Sequence, residues 1–387
     1  MKRRPLSTNL VRETWNNLDS DELRKLLHER FGYTLGQYAS DDDPRLYLPE
    51  AGPQSRIALT YKGSKIAAIE PGQAFDAAEW KQVSQEIEHS ILDGTPKTGR
   101  DYSFSSFPVQ GSWRGRRSGV QILPASESAP RGGAAHPFIL EFPIRGSDLP
   151  FITNHRRIRE HRKMTLVLNL LLAGRTSCLT QRHDHLWAIV FPDEVKWVRE
   201  GYDAPLDHHV LDAPSPPAAY RIEEVEPEEY YATKVGNVER GLRVPADLDE
   251  SICRHLFSLP PDDKKKFDRA TFWLDVSRRQ WTISASATFA AHTFAIEALI
   301  AVRGNGAVQR FKKFTETYAP GVGQASLNSI YDLRSDVVHG SELIELDNAL
   351  AFGWDPLPLK QGNLLDDLSM ITRVAMRKWL KSKSTGS

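Results

Sequence analysis

The spacing of apolar residues differs between the two halves of the chain. Asp19-Ser20-Asp21-Glu22 ahead of Leu23, Leu26 and Leu27 predicts a capped short helix, since short polar side chains satisfy the first orphan N–H groups. Ile57, Leu59 and Tyr61 then alternate, Lys62-Gly63-Ser64 supplies a turn, and Ile66 and Ile69 follow, which predicts a hairpin over 56–70. A second helix is expected from Phe75 to Ile91. Residues 94–135 are rich in Gly, Ser, Pro and Arg without a sustained period, so long loops or short irregular strands are expected there. Phe138-Ile139-Leu140-Glu141-Phe142 and Leu186 to Phe191 read as strands. Between them a basic segment, 155–163, leads into the apolar run Thr165 to Ala173. The expectation for residues 1–210 is an α+β N-terminal domain of unrecognised fold.

Residues 211–242 read as a linker. Asp212-Ala213-Pro214-Ser215-Pro216-Pro217 and Glu223-Glu224-Val225-Glu226-Pro227-Glu228-Glu229 are rich in Pro and acid and poor in large apolar groups. From 243 to 387 the spacing turns helical. Leu248, Ile252 and Leu256 form one stripe over 246–257, and Phe267, Phe272, Trp273 and Val276 mark 262–280. Phe289, Thr293, Ile296 and Ile300 mark 284–301, and Val308, Phe311 and Phe314 mark 306–318. A helix over 326–339 stops at Gly340, an irregular stretch holds Pro356 and Pro358, and a last helix runs from about Leu364 to Leu380. An all-α bundle is predicted for this third of the chain.

Composition changes this picture little. Lys plus Arg and Asp plus Glu are equal at 50 each, so no global charge advertises a nucleic-acid partner. The two cysteines, Cys178 and Cys253, are far apart and lack metal-ligand spacing, which argues against a disulfide framework or a structural zinc site. Met1-Lys2-Arg3-Arg4-Pro5 is basic, but no apolar stretch follows as a secretory signal would require, and Thr165 to Ala173 is too short to span a bilayer. A cytoplasmic chain with no membrane association, no metal and no cofactor is expected.

Candidate chemistry concentrates in helix 326–339. Leu327, Ile330, Tyr331 and Val338 share one stripe, and Arg334 falls inside it. A guanidinium on a packed face is costly unless it is paired or lines a cleft. Asp332 and Asp336 point elsewhere, which leaves Glu297 in helix 284–301 as the better partner. His339 sits in the last turn, where the negative end of the helix dipole favours imidazolium. An arginine fixed in a cleft and a histidine able to move a proton suit phosphate chemistry.

These residues also carry a resemblance. Tyr331-Asp332-Leu333-Arg334-Ser335-Asp336-Val337-Val338-His339-Gly340 resembles the Arg-x4–6-His signature of the HEPN superfamily, most closely its ApeA-like subgroup. Phe294-Ala295-Ile296-Glu297-Ala298-Leu299 is similar to that subgroup's Glu-containing helix, and Leu242-Arg243-Val244-Pro245 fits its entry. The resemblance spans about 243–383 and none of the N-terminal half. It implies an HEPN-like helical bundle that cleaves RNA without metal, through attack of a ribose 2′-hydroxyl that leaves a 2′,3′-cyclic phosphate. By the same resemblance His339 transfers the proton, Arg334 stabilises phosphate charge, Ser335 and Glu297 orient them, and two copies face each other in a homodimer. A toxin or anti-phage defence setting is the implied context, with the N-terminal domain sensing a trigger or an antitoxin partner.

Each candidate has a plainer alternative. Arg334 and Glu297 could simply tie two helices together, and His339 could cap the last carbonyls. The chain would then be a non-catalytic module for dimerisation or nucleotide binding. Arg156, Arg157, Arg159, Arg162 and Lys163 offer phosphate contacts to RNA or else a solvated helix face. Trp113 and Arg114, in the run Trp113-Arg114-Gly115-Arg116-Arg117, offer stacking on single strands or else belong to a loop. His183, His185, His208 and His209 match no metal-binding spacing.

Overall fold

The computed structural model describes residues 9–32, 38–126, 136–177, 186–190, 195–199, 218–232, 241–300, 306–347 and 356–383, less 13–14, 16–17, 41–42, 51, 64, 93, 219 and 282 within those ranges. The chain divides into two compact units, one of residues 1–98 with 144–159 and one of 99–143 with 160–387. Its N-terminal half is mixed α/β, and from Leu248 onward the described elements are helical.

In the first unit, helix α1 (Ser20–Phe31) starts where Asp19 accepts hydrogen bonds from the N–H groups of Asp21 at 2.9 Å and Glu22 at 3.3 Å. Strands β1 (Tyr38–Ser40), β2 (Asp43–Leu48), β3 (Ile57–Lys62) and β4 (Lys65–Pro71) form an antiparallel sheet in that order. Helix α2 (Ala77–Glu86) continues as a wider π-helical segment, Ile87–Leu92. Leu26 and Leu27 of α1, Leu48, Ile57, Leu59 and Ile69 of the sheet, and Ile87 are all fully buried in one core. The predicted cap, hairpin and second helix are all present.

The second unit holds a five-stranded sheet in the order β6-β7-β8-β5-β9. Its strands are β5 (Pro96–Ser105), β6 (Trp113–Arg114), β7 (Gln121–Pro124), β8 (His136–Arg145) and β9 (Thr176–Ser177). The ten-residue β5 lies where only loops or short irregular strands were expected. It lacks apolar alternation because its buried run, Tyr102 to Ser105, includes two serines satisfied by partners elsewhere. Ser103 Oγ lies 2.9 Å from His161 Nε2, and Ser105 Oγ donates to the Arg175 carbonyl at 3.2 Å. Helix α3 (Pro150–Leu171), which takes in both the basic segment and most of the apolar run, belongs to the first unit up to Arg159 and to the second from Glu160. Strands β10 (Leu186–Val190) and β11 (Val195–Arg199) pair antiparallel.

Part of the stretch read as a linker is folded. Strand β12 (Glu224–Val225) pairs in parallel with β13 (Val244–Pro245), and helix α4 (Pro227–Ala232) follows β12. Ile222, Val225 and Tyr230 are buried there, enough apolar surface to fix an otherwise acidic segment. The remaining helices are α5 (Leu248–Cys253), extended by a π-helical segment Arg254–Ser258, α6 (Pro261–Gln280), α7 (Ala285–Ile300), α8 (Ala307–Tyr318), α9 (Gln324–His339) and α10 (Pro356–Ser382). The Trp273 and Phe294 rings meet at 5.0 Å between α6 and α7, while Phe267 stacks on Trp379 at 5.8 Å between α6 and α10. Helix α10 begins at Pro356, eight residues before the expected start. Prolines cost little in a first turn, whose N–H groups have no intrahelical partner.

Candidate functional site

Helices α7 and α9 position the candidate residues. On α7, Phe289, Thr293 and Ile296 are fully buried, which sets the rotation of the helix and leaves Glu297 at the edge of the packed face. The N-terminus of α7 is fixed by a distant residue: Asp347 accepts from the N–H of Ser286 and the hydroxyl of Ser284, each at 2.9 Å, and from the N–H of Ala285 at 2.5 Å. Burial pulls the Asp347 carboxyl upward, but these donors outweigh it and hold it below its ordinary value. On α9, Leu327, Ile330 and Leu333 are buried, and Tyr331 meets Phe311 of α8 edge-on at 5.9 Å.

Arg334 therefore emerges beside Glu297. Its Nη2 lies 2.8 Å from Glu297 Oε1 and 3.1 Å from Oε2, so one nitrogen faces both carboxylate oxygens. The guanidinium also lies 5.7 Å from the centre of the Tyr331 ring, one turn earlier. The arginine side chain is 18% exposed and the glutamate 30%, so water reaches the pair. Such a pair contributes on the order of 1 kcal/mol or less to stability, and its clearer effect is to fix an orientation. Arg334 Nε is buried without a hydrogen-bond partner among the described residues. The predicted pairing with Glu297, rather than with Asp332 or Asp336, is the one observed.

His339 is the exposed last residue of α9. Gly340 follows in the left-handed region at φ 70°; its N–H bonds the Val337 carbonyl at 3.2 Å and that of Ser341 bonds the Asp336 carbonyl at 2.9 Å. These are the two bonds of a Schellman stop. The backbone therefore terminates the helix, and no hydrogen bond from the His339 ring is seen among the described residues. His339 lies five positions after Arg334, which sets them about 140° apart around α9 and about 7.5 Å apart along it. Ser335 is half-buried, and its hydroxyl bonds neither residue.

The candidate RNA contacts divide sharply. Arg156, expected at a phosphate, is 4% exposed, and its Nε and Nη2 bond Glu22 at 2.7–3.0 Å. Nη2 also bonds the Ile91 carbonyl at 2.9 Å, and Nη1 bonds the carbonyls of Arg145 and Gly146, both at 3.0 Å. All five guanidinium N–H groups are thus used inside the first unit, which excludes Arg156 from the RNA surface. Arg159 pairs with Asp19 and Glu22, and Arg157 bonds Asn154. Arg162 is exposed over Phe272, and Lys163 pairs with Glu160. Trp113, expected to stack on bases, is 3% exposed with its indole N–H donating to Glu224 at 2.9 Å; Arg114 beside it is exposed because strand neighbours face opposite sides.

Two arrangements escaped the sequence. Ser103, His161 and Asp101 have the residue types of a hydrolytic triad, with 2.9 Å from serine to histidine and 4.0 Å from histidine to aspartate. Ser103 is fully buried, so no substrate reaches it, and the trio ties β5 to α3. The second is a group of arginines on α6 and α10: Arg278, Arg373 and Arg377. Its signal was the pair Arg373 and Arg377, bordering the buried row Leu368, Thr372, Met376 and Leu380 of α10.

Among the described residues no cluster of His, Cys, Asp and Glu is arranged to hold a metal, and no helix is long and apolar enough to cross a membrane. His183, His185, His208, His209 and Cys178 lie outside the described residues. A scan against protein-family models and searches of curated proteins and of solved structures found no match to this chain.

Proposed function

We propose that the chain is a metal-independent endoribonuclease whose chemistry is carried by Arg334 and His339 and whose N-terminal half senses a trigger or restrains the nuclease. The observation that carries this reading is the state of Arg334. Glu297 engages Nη2 at 2.8 Å, while the arginine side chain stays 18% exposed, so the pair does not close the guanidinium off from solvent. A guanidinium fixed in direction with N–H donors left over suits a phosphodiester oxygen whose charge grows as the reaction proceeds. Five residues on, the exposed His339 is a group able to accept and return a proton.

In the proposed reaction a ribose 2′-oxygen attacks the adjacent phosphorus as His339 takes its proton. Arg334 offsets the charge on the non-bridging oxygens. The bond from phosphorus to the 5′-oxygen breaks, that oxygen gains a proton, and a 2′,3′-cyclic phosphate remains. DNA lacks the attacking hydroxyl and is not cut. Two copies of α9 in a homodimer would present two such sites, as the resemblance implies. A toxin or anti-phage role, released by a trigger or held by an antitoxin partner, is the corresponding context.

The second reading, a non-catalytic module, draws on the same ion pair, because Arg334 and Glu297 also hold two helices together. RNA cleavage in excess EDTA separates the two. The nuclease reading expects product with cyclic-phosphate ends that vanishes in folded Arg334→Ala and His339→Ala. The module reading expects no cleavage and loss of stability or dimerisation in Arg334→Ala alone.

A further inference from the structure

Three segments of the second unit are tied together at the start of α7. Asp347, in a short 3-10 turn over Glu345–Asp347, caps that helix, and Ser286 Oγ accepts from the Ile344 N–H at 2.8 Å. Gln361 of α10 accepts from the Glu345 N–H, also at 2.8 Å, and a Cβ at Gly362 would lie 3.5 Å from Leu346. The turn into α7, the stretch 342–347 and the first turns of α10 therefore adjoin one another. Each of them turns apolar side chains to solvent. Ile283 is 74% exposed, Leu343 68% and Leu359 55%, with Trp281 and Leu346 exposed beside them. Nine large apolar side chains are exposed among the described residues, and five of them fall here, which makes a patch rather than scattered single residues.

The charges around this patch have one sign. Glu342, Asp366 and Asp367 are exposed and Glu345 is half-buried, and none of the four forms an ion pair among the described residues. Asp366 lies seven positions after Leu359, about 20° from it around α10, so the acid continues the apolar stripe. Over 281–286, 342–347 and 356–367 the one cation is Lys360. A second copy of the chain would set these acids against their like, and an RNA backbone or an anionic membrane would be repelled. No strand borders the patch among the described residues, so an extended segment finds no main-chain edge to pair with. A helix with an apolar stripe flanked by cations complements both the leucines and the acids.

We propose that this face docks a basic amphipathic helix of another protein. The apolar stripe of that helix covers Ile283, Leu343 and Leu359, and its lysines or arginines face Glu342 and Asp366. Covering the leucines supplies the affinity, and the acids select a basic partner over a neutral or acidic one. The face contains neither Arg334 nor His339 and does not depend on the ribonuclease reading.

The probe is a fluorescein-labelled amphipathic peptide of about 18 residues, leucine on one face and lysine on the other, followed by anisotropy as full-length chain is added. Wild type is expected to bind it with a Kd of roughly 1–50 μM, and to bind the same peptide with glutamate for lysine about tenfold or more weakly. The double variant Ile283→Ser with Leu343→Ser should keep the wild-type Tm, since both side chains are exposed, and lose about tenfold or more in affinity. Glu342→Lys with Asp366→Lys should reverse the preference between the two peptides. Phe257→Ser is the control: Phe257 is exposed near Arg254, which bonds the Lys381 carbonyl at the other end of α10, and its loss should leave binding unchanged. The proposal is overturned if the lysine peptide fails to bind wild type, binds no better than the glutamate peptide, or binds either double variant undiminished. It is also overturned if sedimentation shows a wild-type dimer that Ile283→Ser with Leu343→Ser converts to monomer, since a second copy then fills the face.

Discussion

Arg334 gives one nitrogen to Glu297 and faces the tyrosine one turn before it, so its direction is set by two helices and its charge is only partly shielded. On the ribonuclease reading, Arg334→Ala loses about 100-fold or more in RNA cleavage, the usual cost of removing a fixed donor to a developing charge. Arg334→Lys falls nearly as far, because an ammonium cannot face Glu297 and phosphate with a rigid fork. Both should fold, as measured by circular dichroism and Tm. His292 makes a separate prediction. Burial first and Arg373 second lower its pKa from 6.5 to about 3, so it is neutral in the folded chain. The unfolded chain takes up a proton near pH 6.5 and the folded chain does not. The stability linked to His292 is therefore complete above about pH 6.5 and is lost as pH falls toward 3, at up to about 1.4 kcal/mol per pH unit. His292→Leu should flatten that part of the stability profile measured by urea unfolding.

Helix α9 ends by backbone geometry, and helix α7 begins by a borrowed carboxylate. Gly340 adopts φ 70° with open space where a Cβ would lie, so Gly340→Ala costs about 1 kcal/mol through backbone strain alone, read as a lower urea midpoint. Asp347→Ala removes three hydrogen bonds from the first turn of α7 and should cost about 1–2 kcal/mol. Because the Asp347 carboxyl is held below its ordinary value, its contribution is present above about pH 4 and disappears as pH falls through the folded value. Helix α7 carries Glu297, so the same variant should also weaken cleavage. Gly340 was legible because a helix stop needs a residue at ease in the left-handed region, and the Arg334–Glu297 pair because helical period put Arg334 inside one apolar stripe and Glu297 at the border of another. Asp347 was not, since a cap supplied from 61 residues away leaves no local pattern. Strand β5 hid behind buried serines, and Arg156 behind a run of basic neighbours that looked like a surface until its buried partners were known.

At the scale of the whole chain, a mixed α/β half precedes a helical third that holds the candidate chemistry. The helical third could be read in outline from its 3.6-residue stripes. The second unit could not, because its five-stranded sheet and helices are assembled from separate parts of the sequence. The exposed Arg114 and Arg162 remain candidates for phosphate contacts, and Arg156 and Trp113 do not. The most direct test of the central claim is incubation of purified full-length chain with total cellular RNA and tRNA in excess EDTA, beside Arg334→Ala and His339→Ala of verified fold. The account predicts cleavage by wild type, products ending in 2′,3′-cyclic phosphate, and loss of about 100-fold or more in each variant. Intact RNA with wild type, or cleavage that persists equally in both folded variants, would contradict it.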